Sequence, residues 1–311
     1  MRLPRYARND KKGSPRFTRD DRLSNLLAYA IALFLLFSFW SISLGQIFLA
    51  CALIFWILLL VTKKQKFEIP RFFWPLIVYS LLSLVSSLFY SVNPGVSLID
   101  SKDLLLFLIV PITYMGLREG KKLTRANLAL MASVWISIFY SLFSYFFAPP
   151  QSQRIAGFMG HYMTQAGLLL LFISLALGIL FFSRGKLRYL WGTTLFFAIL
   201  SLIVTMTRSA WIGAAVAVSV ILFLYKPKML LLVPVILGLV FLVSPKNVKQ
   251  RVESIFSLKG SSNFQRIEYV KVGLKIMKAK PFFGTGPDTV DMEFQKDKYG
   301  LSEEAKQNVH L

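Results

Sequence analysis

The feature that most constrains this chain is a succession of long apolar runs with almost no ionisable residues inside them. Nine can be marked: Leu23–Trp40, Gln46–Val61, Phe72–Tyr90, Leu104–Leu117, Leu128–Phe147, Met163–Phe182, Tyr189–Met206, Ser209–Leu224 and Met229–Val243. A helix crosses the hydrocarbon core of a bilayer with about 20 residues. Several runs are short for that task, and the fourth carries Pro111, an expected kink. The runs are continuous rather than alternating, which excludes a transmembrane β-barrel. Hydrophobic residues make up 55% of the chain and the mean hydropathy is +0.58, well above a soluble domain. The expected fold is therefore all-α: a polytopic transmembrane helical bundle over residues 23–243, preceded by a basic tail (1–22) and followed by a large extracytoplasmic loop (244–311).

The net charge of +21 invites a nucleic-acid reading, but the distribution opposes it. The basic residues fall in short segments between apolar runs, where they set orientation and meet anionic headgroups, and no contiguous basic face forms. Lys63, Lys64, Lys66, Arg71, Arg118, Lys121, Lys122, Arg125, Arg184, Lys186, Arg188, Lys226 and Lys228 fall on the tail's side. The opposite short loops hold Lys102, Arg154 and Arg208. The positive-inside rule then places the N-terminus in the cytoplasm and, after an odd number of spans, residues 244–311 outside, in the periplasm of a Gram-negative cell. No cleavable signal peptide is evident. With Cys51 as the single cysteine and His161 and His310 as the histidines, neither an internal disulfide nor a zinc site is expected.

Within the external segment, Ser261 to Pro287 carries the most local structure. Ser262 and Gln265 have capping-box spacing, and Phe264, Ile267, Val270, Leu274 and Met277 then share one stripe of a helix. Lys280-Pro281 ends that helix, and Gly284-Thr285-Gly286-Pro287 makes a tight turn. The chain stops soon after without a closing span, so it reads as ending early.

Arg154, Arg208 and Arg266 all belong to external segments. Arg154 also reads as an ordinary loop charge and Arg266 as a helix-surface residue snorkelling to headgroups. Arg208 resists such a reading, because it lies in a hairpin so tight that its charge sits at or below the interface, where charges face a cavity or a partner. Several arginines without metal-holding acids suit an anion, most naturally a phosphate or pyrophosphate. Guanidinium is permanently charged and matches phosphate oxygens in pairs. The external acids Asp100 and Asp103 form no DxD-like pair. A pyrophosphate leaving from a lipid at the outer interface fits this set, with arginines stabilising the developing charge. A neutral histidine, His310 or His161, is available to take a proton from an acceptor hydroxyl.

Three segments resemble the O-antigen ligase / O-antigen polymerase family of bacterial membrane glycosyltransferases. They are Arg154-Ile155-Ala156-Gly157-Phe158 running to Gln165-Ala166-Gly167, then Thr205-Met206-Thr207-Arg208-Ser209-Ala210-Trp211, and Arg266 followed by a helix and Pro281-Phe282-Phe283-Gly284-Thr285-Gly286-Pro287. The resemblance covers roughly Arg154 to Leu311. It implies metal-independent, inverting transfer of a glycan from an undecaprenyl-pyrophosphate carrier to lipid A-core or to another repeat unit, at the bacterial inner membrane. It implies that Arg208 and Arg266 contact the carrier pyrophosphate, with Arg154 beside them, and that a late histidine is the catalytic base. Here His310 is followed by Leu311, where the family has Asn, Ser or Gln after its histidine. The resemblance therefore implies a base at His310 or beyond, and a fragment inactive by itself. No cofactor and no metal are expected. The competing readings are a transporter or flippase for an anionic lipid-linked solute, opposed by spans nearly free of ionisable residues, and a non-catalytic scaffold.

Overall fold

A computed structural model of the chain describes residues 21–62, 67–147, 154–182, 187–256, 261–296 and 299–300. The basic tail, the lysines at 63, 64 and 66, the segment at 183–186 and His310 lie outside the described residues, as do the side chains of the Ser262 cap. The described residues are helical, with no strand among them.

The membrane region runs α1 (Asp21–Phe37), α2 (Ile42–Val61), α3 (Trp74–Val85), α4 (Pro94–Asp100), α5 (Ile109–Gly116), α6 (Gly120–Phe147), α7 (Tyr162–Phe182), α8 (Leu187–Val204), α9 (Arg208–Tyr225) and α10 (Leu232–Val243). Beyond it come α11 (Lys246–Phe256), α12 (Ser261–Ala279) and α13 (Val290–Phe294). Five helical stretches among the described residues are long and apolar enough to cross a membrane: Ile42–Val61, Arg71–Tyr90, Gly120–Phe147, Tyr162–Phe181 and Arg208–Tyr225. The first and seventh apolar runs form shorter apolar helices.

The fourth run departs from its expected form. A 3-10 segment, Ser101–Leu108, leads into α5, and Pro111 sits near the start of α5 rather than in mid-helix. There its missing N–H costs nothing, because the first helical N–H groups have no intrahelical acceptor. The change of helix type, at Ile109, lies two residues before Pro111. The third run ends in a π-helical turn, Ser86–Tyr90.

Two apolar cores lie on either side of the end of the first helix. On one side Leu27, Ala30 and Ile31 of α1 pack with Ala52, Trp56 and Leu59 of α2 and Ile112 and Met115 of α5. On the other, Phe39 packs with Met131, Val134 and Ile138 of α6, and that core continues through Leu169, Phe172 and Ile173 of α7 to Trp191, Leu195 and Leu202 of α8 and Ala210 of α9. Large apolar side chains such as Ile54, Leu81, Phe139, Leu171 and Phe223 point outward from the spans. An apolar exterior of that extent requires lipid rather than water. Buried polar atoms are held accordingly: Trp135 Nε1 donates to Thr194 Oγ1 at 2.9 Å, and Ser87, Thr113, Ser174 and Ser219 return their hydroxyls to carbonyls four residues earlier.

Contacts at one end bring together segments distant in sequence. Lys122 of α6 donates to Ser24 Oγ of α1 and to Glu119, both at 2.7 Å, and Arg118 pairs with Glu68 at 2.7 Å. The start of α1, the segment before α3 and the loop before α6 therefore meet at one end of the bundle.

Gly116 marks the tightest approach of α5 to α1. A Cβ there would lie 2.6 Å from Ile31 Cδ1 and 3.1 Å from Leu27, both in the buried core. Overpacking of this kind costs about 1–3 kcal/mol. Gly116→Ala is expected to lower the thermal unfolding midpoint in detergent, and an unchanged midpoint would show that α1 and α5 are not in contact.

Candidate functional site

The site is built on the turn between α8 and α9. Three residues, Thr205, Met206 and Thr207, reverse the chain, and all are buried. A reversal this short requires an unusual backbone, and Met206 takes φ 52°, a left-handed conformation that non-glycine residues rarely adopt. Side chains occupy the carbonyls left over at the end of α8: Leu202 O accepts from Thr205 Oγ1 at 2.7 Å and from Trp211 Nε1 at 3.1 Å, and Thr205 O accepts from Thr207 Oγ1 at 3.2 Å. Arg208 is thereby fixed as the first residue of α9.

From that position Arg208 Nη1 donates to Ser254 O at 2.6 Å and to Ser254 Oγ at 3.3 Å. In return Arg251 Nε donates to Met206 O at 3.1 Å. Two arginines thus clamp α11 across the turn, one from each side. Val248, Val252 and Ile255 supply the apolar spacing of α11, and Arg251 lies beside that stripe.

Arg154 reaches the same place through the backbone: Ile155 N donates to Val204 O at 3.3 Å. Its guanidinium lies 4.7 Å from the Tyr162 ring centroid, and His161 stacks on the same tyrosine at 4.7 Å. The following turn needs Gly157, whose φ is +61° and whose added Cβ would lie 2.7 Å from the buried Gln165 amide. Gln165 is fixed in turn by donating to Ser137 Oγ at 2.7 Å. Arg266 projects, exposed, from the beginning of α12.

The electrostatics show that these side chains share one region. Burial holds the Arg251 guanidinium below the ordinary arginine value, and repulsion from Arg154, Arg208 and Arg266 lowers it further; Tyr162 opposes them. The structure joins Arg208 and a fourth arginine that sequence reasoning passed over, Arg251, at the α8–α9 turn, with Arg154 brought to the same turn through Ile155; Arg266 acts on Arg251 only as the weakest of the charges named. The available signal for Arg251 was its place on an amphipathic helix following the last apolar run. A cation held against like charge is stabilised by any anion that joins it. Among the described residues no group of three His, Cys, Asp or Glu side chains is placed to hold a metal.

The Pro281–Pro287 turn is seated on the same end of the bundle. Ser86 Oγ donates to Phe283 O, and Phe283 stacks on Tyr90 at 4.3 Å. Gly286 has φ +85°, and a Cβ there would lie 2.5 Å from Ser97 Oγ and 2.8 Å from Ser91 Cβ. Behind the turn, Glu293 is fully buried, with Lys280 at 2.6 Å and Lys296 at 3.1 Å from Oε1. Burial pushes its carboxyl up, but hydrogen bonds from Lys280 and Lys296 outweigh that and hold it below the usual glutamate value.

The helices define an all-α, multi-pass membrane protein whose arginine cluster lies at one end of the bundle. The family described as O-antigen ligase matches residues 193–310, the stretch containing Arg208, Arg251, Arg266 and the glycine-rich turn. Over that stretch, less than half of the chain, the protein is similar to the O-antigen ligase family. Searches of curated proteins and of solved structures returned no match.

A carboxylate whose folded pKa is depressed contributes stability above its unfolded pKa and loses it as pH falls through the folded value. The seat of the Pro281–Pro287 turn should therefore loosen below the ordinary glutamate value of 4.5. Limited proteolysis with an acid-active protease should show cleavage near Phe282 rising as pH falls through that range. Glu293→Gln, probed with a protease active at neutral pH, should be cleaved at the turn already there, and a pH-independent wild-type pattern would contradict the ion pairs.

Proposed function

We propose that this chain moves a glycan from an undecaprenyl-pyrophosphate carrier to an acceptor hydroxyl, by a metal-independent inverting displacement at the outer face of the bacterial inner membrane. The observation that carries the reading is the convergence of Arg154, Arg208, Arg251 and Arg266 beside the buried Thr205–Thr207 turn. That place is the end of a membrane span, the depth at which a lipid-borne pyrophosphate resides. The family match supports the reaction class.

In this reading Arg208 and Arg266 grip the diphosphate, and Arg154 and Arg251 complete the positive field. The acceptor oxygen attacks the anomeric carbon from the face opposite the carrier. The bond from anomeric carbon to phosphate oxygen breaks, and its electron pair becomes negative charge on the carrier pyrophosphate. The arginines stabilise that charge as it develops, in a partly desolvated place where the effect is largest. The acceptor's proton passes to a histidine. His310 is the residue of choice, and His161, exposed beside Tyr162 and Arg154, is the second. The acceptor is lipid A-core for ligation or a further repeat unit for polymerisation. The cytoplasmic face is then the end where Lys122, Arg118 and Glu68 gather.

Loss of one donor to a developing anion typically costs about 10²- to 10³-fold in rate. Arg208→Ala and Arg266→Ala, each introduced in the full-length protein and assayed in membranes with a lipid-pyrophosphate glycan donor, should fall by at least that factor. Arg251→Ala should fall with them, whereas Arg208→Lys should retain part of the activity, keeping the charge but losing the fork. Turnover unchanged in both Arg208→Ala and Arg266→Ala would overturn the reading.

A further inference from the structure

The helix α12 carries two apolar faces, and among the described residues one of them is packed. Val272 and Ile276 are buried against Tyr299, with Tyr269 and Phe294 beside them. On a second side Phe264, Ile267, Val270, Leu274 and Met277 are all exposed, Val270 by 62%. At 3.6 residues per turn these five form a continuous stripe rather than scattered surface residues. The edges of the stripe are basic: Lys271 and Lys278 run along one, and Arg266 lies on the other.

Both ends of this helix are held at one end of the bundle. Before it, α11 is clamped to the α8–α9 turn by Arg208 and Arg251. After it, the Pro281–Pro287 turn is seated on Ser86, Tyr90 and Ser97, at the close of the third apolar run. The helix is about 28 Å long at 1.5 Å per residue and is strung between the ends of membrane spans. Phe282, next to the seated turn, is 88% exposed.

We propose that α12 lies in the plane of the membrane, with its Phe264–Met277 stripe sunk into the headgroup–acyl boundary of the outer leaflet. An apolar stripe edged by lysine and arginine is the pattern of an interfacial helix: the apolar side enters lipid and the cations extend to anionic headgroups. The lipid is already present, because the spans at both ends of α12 require it. The consequence for the site is geometric. Arg266 stands on the edge of the immersed stripe, so the depth of α12 sets the height at which that guanidinium meets an anionic headgroup. The inference rests on the membrane fold and not on the chemistry proposed above, and its test reads depth rather than activity.

The test uses the whole chain with Cys51→Ser, which removes the single native cysteine. It is reconstituted in nanodiscs of phosphatidylethanolamine and phosphatidylglycerol, and a nitroxide is attached at Val270→Cys, Leu274→Cys or Glu253→Cys. Glu253 is the aqueous reference, being exposed on the polar side of α11. Power-saturation electron paramagnetic resonance then compares collision with oxygen, which partitions into lipid, and with a nickel chelate, which stays in water. Positions 270 and 274 should show an oxygen-to-nickel ratio several-fold above that at 253. Strong nickel collision at 270 and 274 would place the stripe in water. Weak collision with both reagents would place it under protein, from this chain or a second copy. Either result overturns the proposal.

Discussion

The reciprocal bonds across the α8–α9 turn are the contact on which the rest of the site depends. Arg208 reaches from the first turn of a membrane span to Ser254, and Arg251 reaches back to Met206 O. α11 is short and highly charged, so these bonds supplement a narrow apolar stripe of which Val248 is buried. A hydrogen bond from a charged donor contributes about 1.5–3 kcal/mol. Together the pair binds α11 to the end of the bundle at the α8–α9 turn. The strained Met206 backbone persists because the Thr205, Thr207 and Trp211 bonds hold the turn around it.

The same arrangement carries an internal tension. Four guanidinium groups share one region, and burial together with three of them disfavours charge on the fourth, Arg251. Such clustering opposes folding until an anion joins it. Stability given up at a site is a common companion of binding function. The remainder of the external segment offsets it with pairings elsewhere: Glu293 with Lys280 and Lys296, Phe283 on Tyr90, and Gly286 against Ser97. The glycine-rich turn is thus an anchor, and its two positive-φ glycines, Gly284 and Gly286, are required by the reversal and by the close approach.

What could be read from the sequence follows how local each signal is. The spans were legible because lipid demands continuous apolar helix, and α2, α7 and α9 follow their runs within a few residues, while α6 ends with its run but begins two turns earlier. The form of the fourth run was not, because a 3-10 segment has no compositional mark distinct from an α-helix. Arg208 stood out as a charge between apolar runs. Arg251 did not, because in Lys-Asn-Val-Lys-Gln-Arg-Val-Glu it is one charge among several, and its place is defined by contact with a turn 45 residues earlier. The stripe on α12 was evident from spacing, but that it faces away from the protein is a tertiary fact.

The central claim is that these arginines act together on one anion. The most direct measurement is the affinity of the reconstituted chain for inorganic pyrophosphate, by titration calorimetry, across Arg208→Ala, Arg266→Ala and the double variant. If both side chains hold one ligand, the double variant should lose less than the sum of the single losses, or more, by a coupling of at least about 0.5 kcal/mol. Strictly additive losses, or affinity unchanged in either single variant, would show that the two arginines do not share a ligand.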